Sequence, residues 1–154
     1  MMTNANIRQL MVIAAACLLL VGAGCRKETE QDKVKKVITS VQKAAEEKNV
    51  QEILKSLSKS YQDPQGYDRH SIKDLLLAYF YMHQKVHAYI PDMAISVEGA
   101  SGKATFQTVL TGGQSGSAAG ILPESLGVYA FEVVLRKEEG EWKVASARWN
   151  RAGE

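Results

Sequence analysis

Cysteine is scarce in this chain: both thiols, Cys17 and Cys25, stand near its start. Nothing downstream of Cys25 can form a disulfide, so the rest of the chain is held by packing alone. An excess of one charge is also missing. Beyond residue 24 the chain carries 18 cations against 17 anions, because Arg8 is the one charged residue before that point. A balanced domain of this kind argues against an electrostatic nucleic-acid binder, which needs a basic stripe. No apolar run reaches the roughly 20 residues of a membrane-spanning helix. The glycine-rich stretch Gly112 to Gly120 lacks the Lys-Ser/Thr pair that a phosphate-cradling loop needs after its last glycine. His83 and His87 have the spacing of a helical zinc motif, but Gln84 stands where the general-base glutamate belongs. The pair also straddles a change from helical to strand periodicity, so no metal or cofactor site is expected.

What is present begins with an address. A short polar segment bearing Arg8 leads into an apolar run, Leu10 to Gly24, which closes on the small residues Gly22, Ala23 and Gly24 before Cys25. That order reads as a secretory signal, and the cysteine after the small residues resembles the bacterial lipoprotein signal. The resemblance implies cleavage after Gly24, lipidation of Cys25 and attachment to a membrane through that lipid. Ala14-Ala15-Ala16-Cys17 is an internal competitor. Cleavage there would leave a very short apolar core and put Leu-Leu-Leu-Val on the mature end, so Cys25 is preferred. An uncleaved short anchor is the ordinary alternative. In the resembled lipoproteins, Arg26 in place of aspartate after the lipidated cysteine implies sorting to the outer membrane, facing the periplasm. Removal of residues 1–24 leaves 130 of the 154 residues, one ordinary domain. Residues 25–32 read as a lipidated, solvated tether and 33–151 as the domain.

Helical spacing starts near Asp32: Val34, Val37, Ile38, Val41, Ala44 and Ala45 form one apolar stripe. Asn49 with Glu52 three residues on signals a second helix, with Val50, Ile53, Leu54, Leu57 and Tyr61 as its stripe. Asp63-Pro64-Gln65-Gly66 stops it. A third helix, capped by Asp68 or Ser71, buries Ile72, Leu75, Leu76, Tyr79, Phe80 and His83. The period then falls to two. Val86, Ala88 and Ile90 form one face, Pro91-Asp92 interrupts, and Met93, Ile95 and Val97 resume. Gly99 and Gly102 are assigned to a turn, and Ala104, Phe106, Thr108 and Leu110 to one face of the next strand. Gly112 to Gly120 reads as a strand-to-strand loop. Tyr129, Phe131, Val133 and Leu135 share a face, Glu138-Glu139-Gly140 makes a hairpin turn, and Trp142 to Asn150 returns as the last strand. Trp142 and Trp149 are an odd number of positions apart, which in a regular strand puts them on opposite faces.

Helices followed by antiparallel strands make an α+β domain with N-terminal helices packed on one sheet face. The order of elements, the corner Tyr61 to Gly66 and the closing Gly140-Glu141-Trp142-Lys143-Val144 resemble the nuclear transport factor 2-like (cystatin-like) superfamily, which includes ketosteroid isomerase-like proteins. The resemblance implies a cone, in which a strongly curved antiparallel sheet wraps the helices around a pocket. It also implies acid–base chemistry as one option, since pocket aspartates, histidines and tyrosines do that work in ketosteroid isomerase and scytalone dehydratase.

The catalytic candidates on that basis are Tyr61, Asp63 and His83, although none can be placed by motif. Asp63 precedes a proline, where aspartate ordinarily bonds the backbone. Tyr79, Phe106, Phe131 and Arg148 are candidates to line the pocket. Arg148, the one cation in the middle of the last strand, either faces an anionic ligand or lies over Trp149 or solvent. The sequence therefore reads as a non-catalytic binding or interaction module, taking a hydrophobic small molecule or an envelope protein partner. A small dehydratase or isomerase and a structural subunit of an envelope complex are the rivals. Exposure of Trp142 or Trp149 on the outer sheet face would favour the structural subunit.

Overall fold

The structure is a computed structural model that describes residues 27–114 and 127–152. The signal segment, Cys25, Arg26 and most of the glycine-rich loop (115–120) lie outside the described residues. Helix α1 (Glu30–Glu46) opens on a capping box. Thr29 Oγ1 accepts from the Asp32 amide at 3.1 Å while Asp32 Oδ2 accepts from the Thr29 amide at 3.0 Å. The helix thus begins inside the stretch assigned to the tether, because polar residues that look like spacer are here the cap. Val34, Ile38 and Ala44 bury its apolar stripe.

Helix α2 (Val50–Ser56) starts where Asn49 accepts from the Glu52 amide. It is shorter than its stripe suggests. Leu57 leaves the helix in an extended conformation and makes a parallel bridge to Val144. Leu57 and Tyr61 are buried as expected, but from the connection beyond the helix. Helix α3 (Arg69–Met82) is capped by Asp68, which accepts from the Ser71 amide at 2.8 Å. It buries Ile72 and Phe80, while Leu75, assigned to the same face, is 41% exposed.

Five antiparallel strands follow: β1 (His83–Tyr89), β2 (Met93–Glu98), β3 (Ser101–Gln114), β4 (Gly127–Glu138) and β5 (Glu141–Arg151). The order is β1-β3-β4-β5, with β2 also paired to β3. β2 lies along the first half of β3 and β1 along the second, so the break at Pro91-Asp92 separates two short strands on one long edge. The sheet curls as a half-barrel around the helices, an α+β layering. Its core joins Val34, Ile38, Leu57 and Ile72 to Ala104, Val133, Leu135, Trp142 and Val144.

Two glycine assignments change. Gly99, with φ +59°, does sit in the β2–β3 turn, but Gly102 lies inside β3. A Cβ there would come within 3.3 Å of both Trp142 and Val34, so this glycine admits the indole and the helix to the sheet. Gly112 and Gly113 extend β3 opposite Val86 and Lys85 instead of opening the loop. The β4–β5 hairpin turns on Glu139 (φ 51°) and Gly140 (φ 88°), the left-handed pair that a two-residue turn needs.

Candidate functional site

Between the helices and the concave face of the sheet lies a cavity of about 280 Å³. α1 contributes Ile38, Val41, Gln42 and Ala45, and α3 contributes Ile72, Leu75 and Leu76. The sheet contributes Ala88, Phe106, Thr108, Leu110, Phe131, Val133, Val144, Ala147 and Trp149. Strand alternation supplies most of this wall: Phe106, Thr108 and Leu110 share a face of β3, as Phe131 and Val133 do on β4.

On β5 the alternation is broken. Val134 is opposite Ser146 but Leu135 is opposite Val144, so Ala145 is an extra residue, a β-bulge. Trp142 and Val144 on one side of the bulge and Ala147 and Trp149 on the other therefore all face inward. The expectation that the tryptophans point to opposite faces fails for this reason. The bulge is held from the α2–α3 connection, where the Ser58 and Gln62 amides donate to the carbonyls of Val144 and Ala145. Trp149 then completes a row of stacked rings. Phe106 and Phe131 are paired across β3–β4 with centroids 5.3 Å apart, Phe131 and Trp149 are 6.3 Å apart, and Trp149 and Tyr67 are 6.1 Å apart.

Three polar side chains interrupt the apolar wall, and each is bonded to the protein. The Tyr61 hydroxyl donates to Asp63 Oδ2 at 3.1 Å. Burial, then the neighbouring Asp63 charge, pushes the Tyr61 phenol well above its ordinary pKa. Gln42 Nε2 donates to the Ala88 carbonyl at 2.6 Å, and Thr108 Oγ1 donates to the Tyr89 carbonyl at 3.2 Å. The pocket wall contains no Asp, Glu, His, Lys or Arg among the described residues.

Asp63 is buried behind Tyr61, off the wall. Its Oδ1 accepts from the Gln65 and Tyr67 amides at 2.9 and 2.8 Å, and with the Tyr61 hydroxyl on Oδ2 the carboxylate is tied into the turn that ends at Gly66. His83 stands at the α3–β1 junction with Nδ1 2.9 Å from the Tyr79 carbonyl and its ring stacked on Tyr79 at 4.2 Å. His87 is exposed on β1, and no metal-holding group of side chains occurs among the described residues. Of the pocket candidates, Phe106 and Phe131 are on the wall. Tyr79 is not: it packs between His83 and Phe80, where burial raises its pKa. Arg148 is not either. It is exposed opposite Glu132 on the outer face, beside the Lys103–Glu132 ion pair at 2.9 Å. Placing Arg148 in the pocket fails because the bulge turns its two neighbours, Ala147 and Trp149, inward. Sequence reasoning passed over Gln42, although it lies one helical turn beyond Ile38 on the buried stripe.

No known protein family matches the chain by sequence, and no curated protein matches it. Solved structures do. A candidate dehydratase of the nuclear transport factor 2-like family from Streptomyces avermitilis has 13% identity and a TM-score of 0.67, covering 81% of this chain and 97% of that one. A nuclear transport factor 2-like protein with a cystatin-like fold from Novosphingobium aromaticivorans has 16% identity and a TM-score of 0.63, covering 94% and 90%. Bd1075 of Bdellovibrio bacteriovorus has 9% identity and a TM-score of 0.67, covering 81% of this chain but 44% of that one, so this chain spans less than half of it. At these identities the likeness is one of fold, and the fold is the nuclear transport factor 2-like, cystatin-like cone.

Proposed function

We propose that this chain is a lipid-anchored envelope protein whose domain binds an apolar small molecule in the cone without turning it over. The observation that carries this reading is the make-up of the wall: hydrocarbon and aromatic surface, with each polar side chain already bonded to the protein. About 150 Å³ suffices for benzene in a dry apolar cavity, so about 280 Å³ suits a fused bicyclic or a medium-length aliphatic chain. The anchor part rests on the Met1–Cys25 segment, with the periplasmic face of the outer membrane as the site of attachment.

A small acid–base dehydratase or isomerase is the second reading, favoured by the dehydratase among the fold neighbours. It would have to draw its proton-transfer group from Tyr61 on the wall and Asp63 buried behind it. Native mass spectrometry of the protein purified from its own envelope separates the two. A retained apolar molecule, absent from Ala147→Phe because the ring fills the cavity, is the expected result. Loss of cellular function in Asp63→Asn with the domain still folded and ligand binding retained would sink the binding reading in favour of the enzyme.

A further inference from the structure

Helix α3 changes character halfway along. Its first half carries an ordinary solvated face, where His70 Nε2 and Asp74 Oδ2 stand 3.5 Å apart. From Leu75 to Met82 the sequence is Leu-Leu-Leu-Ala-Tyr-Phe-Tyr-Met, an uncharged run. Phe80 is buried and Leu76 and Tyr79 are half-buried, as an inward face requires. The outward face of such a helix is ordinarily polar, and here it is not. Four of the six exposed large apolar side chains among the described residues belong to this half-helix: Leu75, Leu77, Met82 and Tyr81, the last 88% exposed. Leu77 and Tyr81 stand at i, i+4 and Leu75, Ala78 and Met82 at i, i+3, i+7, which joins them into one patch. On α1 the same outward position is filled by Lys35, Lys36, Thr39, Ser40 and Lys43. A contiguous exposed apolar patch marks a contact with protein or membrane.

We propose that the C-terminal half of α3 is a membrane-contact face, seated in the interface of the bilayer that holds the chain. The proposal rests on the lipid-anchor reading and goes beyond it. What selects lipid as the occupant is the tether. α1 starts a few residues after Cys25, so an acyl anchor there keeps the domain within about 15 Å of the bilayer. Tethering makes the contact intramolecular, so a patch too small to bind a free membrane suffices. α1 spans roughly 25 Å, and its far end is fastened to α3, where Lys48 Nζ donates to the Phe80 carbonyl at 3.2 Å. With α1 lying along the surface the patch reaches lipid; with α1 upright it would stand about 25 Å away. Leu77, Tyr81 and Met82 have the make-up of an interfacial helix face, aliphatic with a tyrosine for the polar boundary. Leu75 belongs to both the patch and the cavity wall, so this orientation turns that side of the cavity towards the bilayer.

The chain purified from its own envelope and reconstituted in phosphatidylcholine vesicles tests this. A single cysteine, Tyr81→Cys on the patch or Glu132→Cys on the outer sheet face, carries an environment-sensitive fluorophore. The label at Tyr81→Cys is expected to emit to the blue and to lose its emission to spin-labelled phosphatidylcholine, while the label at Glu132→Cys does neither. Leu77→Glu added to Tyr81→Cys should abolish both effects, and because Leu77 is half exposed the fold tolerates the change. A Tyr81→Cys label that stays in water on attached protein overturns the membrane contact and leaves the anchor standing. A label that shifts with protein density in the vesicles but is not quenched assigns the patch to a second copy and overturns it as well. A chain that does not attach to the vesicles overturns the anchor reading, and the contact with it.

Discussion

Trp142 and Trp149 face the same interior from one strand, although an odd number of positions separates them. The extra residue at Ala145 reverses the alternation between them. It places Trp142 over Gly102 in the core and Trp149 in the cavity wall. Both large aromatics of the outer-face argument are thereby withdrawn from the surface on which a structural subunit would have used them.

Deleting Ala145 should remove the bulge and leave Trp142 and Trp149 an even number of positions apart, so that a regular strand still keeps both facing inward. Tryptophan emission should therefore stay at the wild-type wavelength. A red shift, with Trp149 turned to solvent, would show that Ala145 is not the residue that sets the facing of Trp149.

The Glu30 carboxylate should produce an acid-sensitive joint between α1 and the β4–β5 hairpin. It accepts from Lys33 Nζ at 2.8 Å, Lys137 Nζ at 3.0 Å and Trp142 Nε1 at 2.8 Å. Lys33 first, then Lys137 and Trp142, hold its pKa at about 2, below the ordinary 4.5. A carboxyl lowered in the folded state stabilises above its unfolded value. That contribution is present above about pH 4.5 and is lost as pH falls towards 2. The melting temperature of Glu30→Gln should therefore converge on wild type at low pH and lie below it near neutrality. A constant gap across pH 2–6 would assign the effect to packing.

Asp63→Asn should destabilise by about 1–3 kcal/mol without changing ligand affinity. It weakens a buried acceptor of two amides and a phenol. Tyr61→Phe should cost a similar amount, and the two losses should not add, because each removes the same bond. Denaturant melts of the two single variants and the double variant check this; strict additivity would mean that the Tyr61–Asp63 bond contributes nothing.

Leu135→Ala should cost about 3–5 kcal/mol, since Leu135 is fully enclosed between sheet and helices. Lys55→Ala, whose ammonium pairs with Glu52 on the exposed helix face, should stay within about 0.5 kcal/mol. Phe131 lies on the cavity and packs on one side only, so Phe131→Ala should cost less per atom removed than Leu135→Ala. The reverse ranking in chemical denaturation would place the cavity elsewhere.

Cys25 should carry the lipid and begin the mature chain. Each buried CH₂ contributes about 0.8 kcal/mol, and several acyl chains together hold where one is marginal. Because α1 starts at Glu30, only a few residues would separate anchor from domain, a reach of about 15 Å. Cys25→Ala should release the protein from membranes or stall its processing. Mass spectrometry finding an intact Met1, or acylation at Cys17, would overturn the assignment.

Element types, their order and most inward-facing residues were legible in the sequence, because period and capping are local. The stripe Val34–Ile38–Ala44, the caps Asn49 and Asp68, the face Ala104–Phe106–Thr108 and the Glu139-Gly140 turn all follow from neighbours within a few positions. The turn role of Asp63 was legible for the same reason. What only the tertiary structure decided are relations between distant segments. Gln42 finds the Ala88 carbonyl across the helix–sheet gap, and Gly102 is needed because Trp142 lies over it. The bulge at Ala145 is the sharpest case. No residue type marks it, because alanine suits a regular strand as well, and the register shift is held by Ser58 and Gln62, residues of a connection far away in the chain. Periodicity assumes an unbroken strand, so one inserted residue reverses every later assignment on it, and long-range hydrogen bonds alone determine where that residue goes.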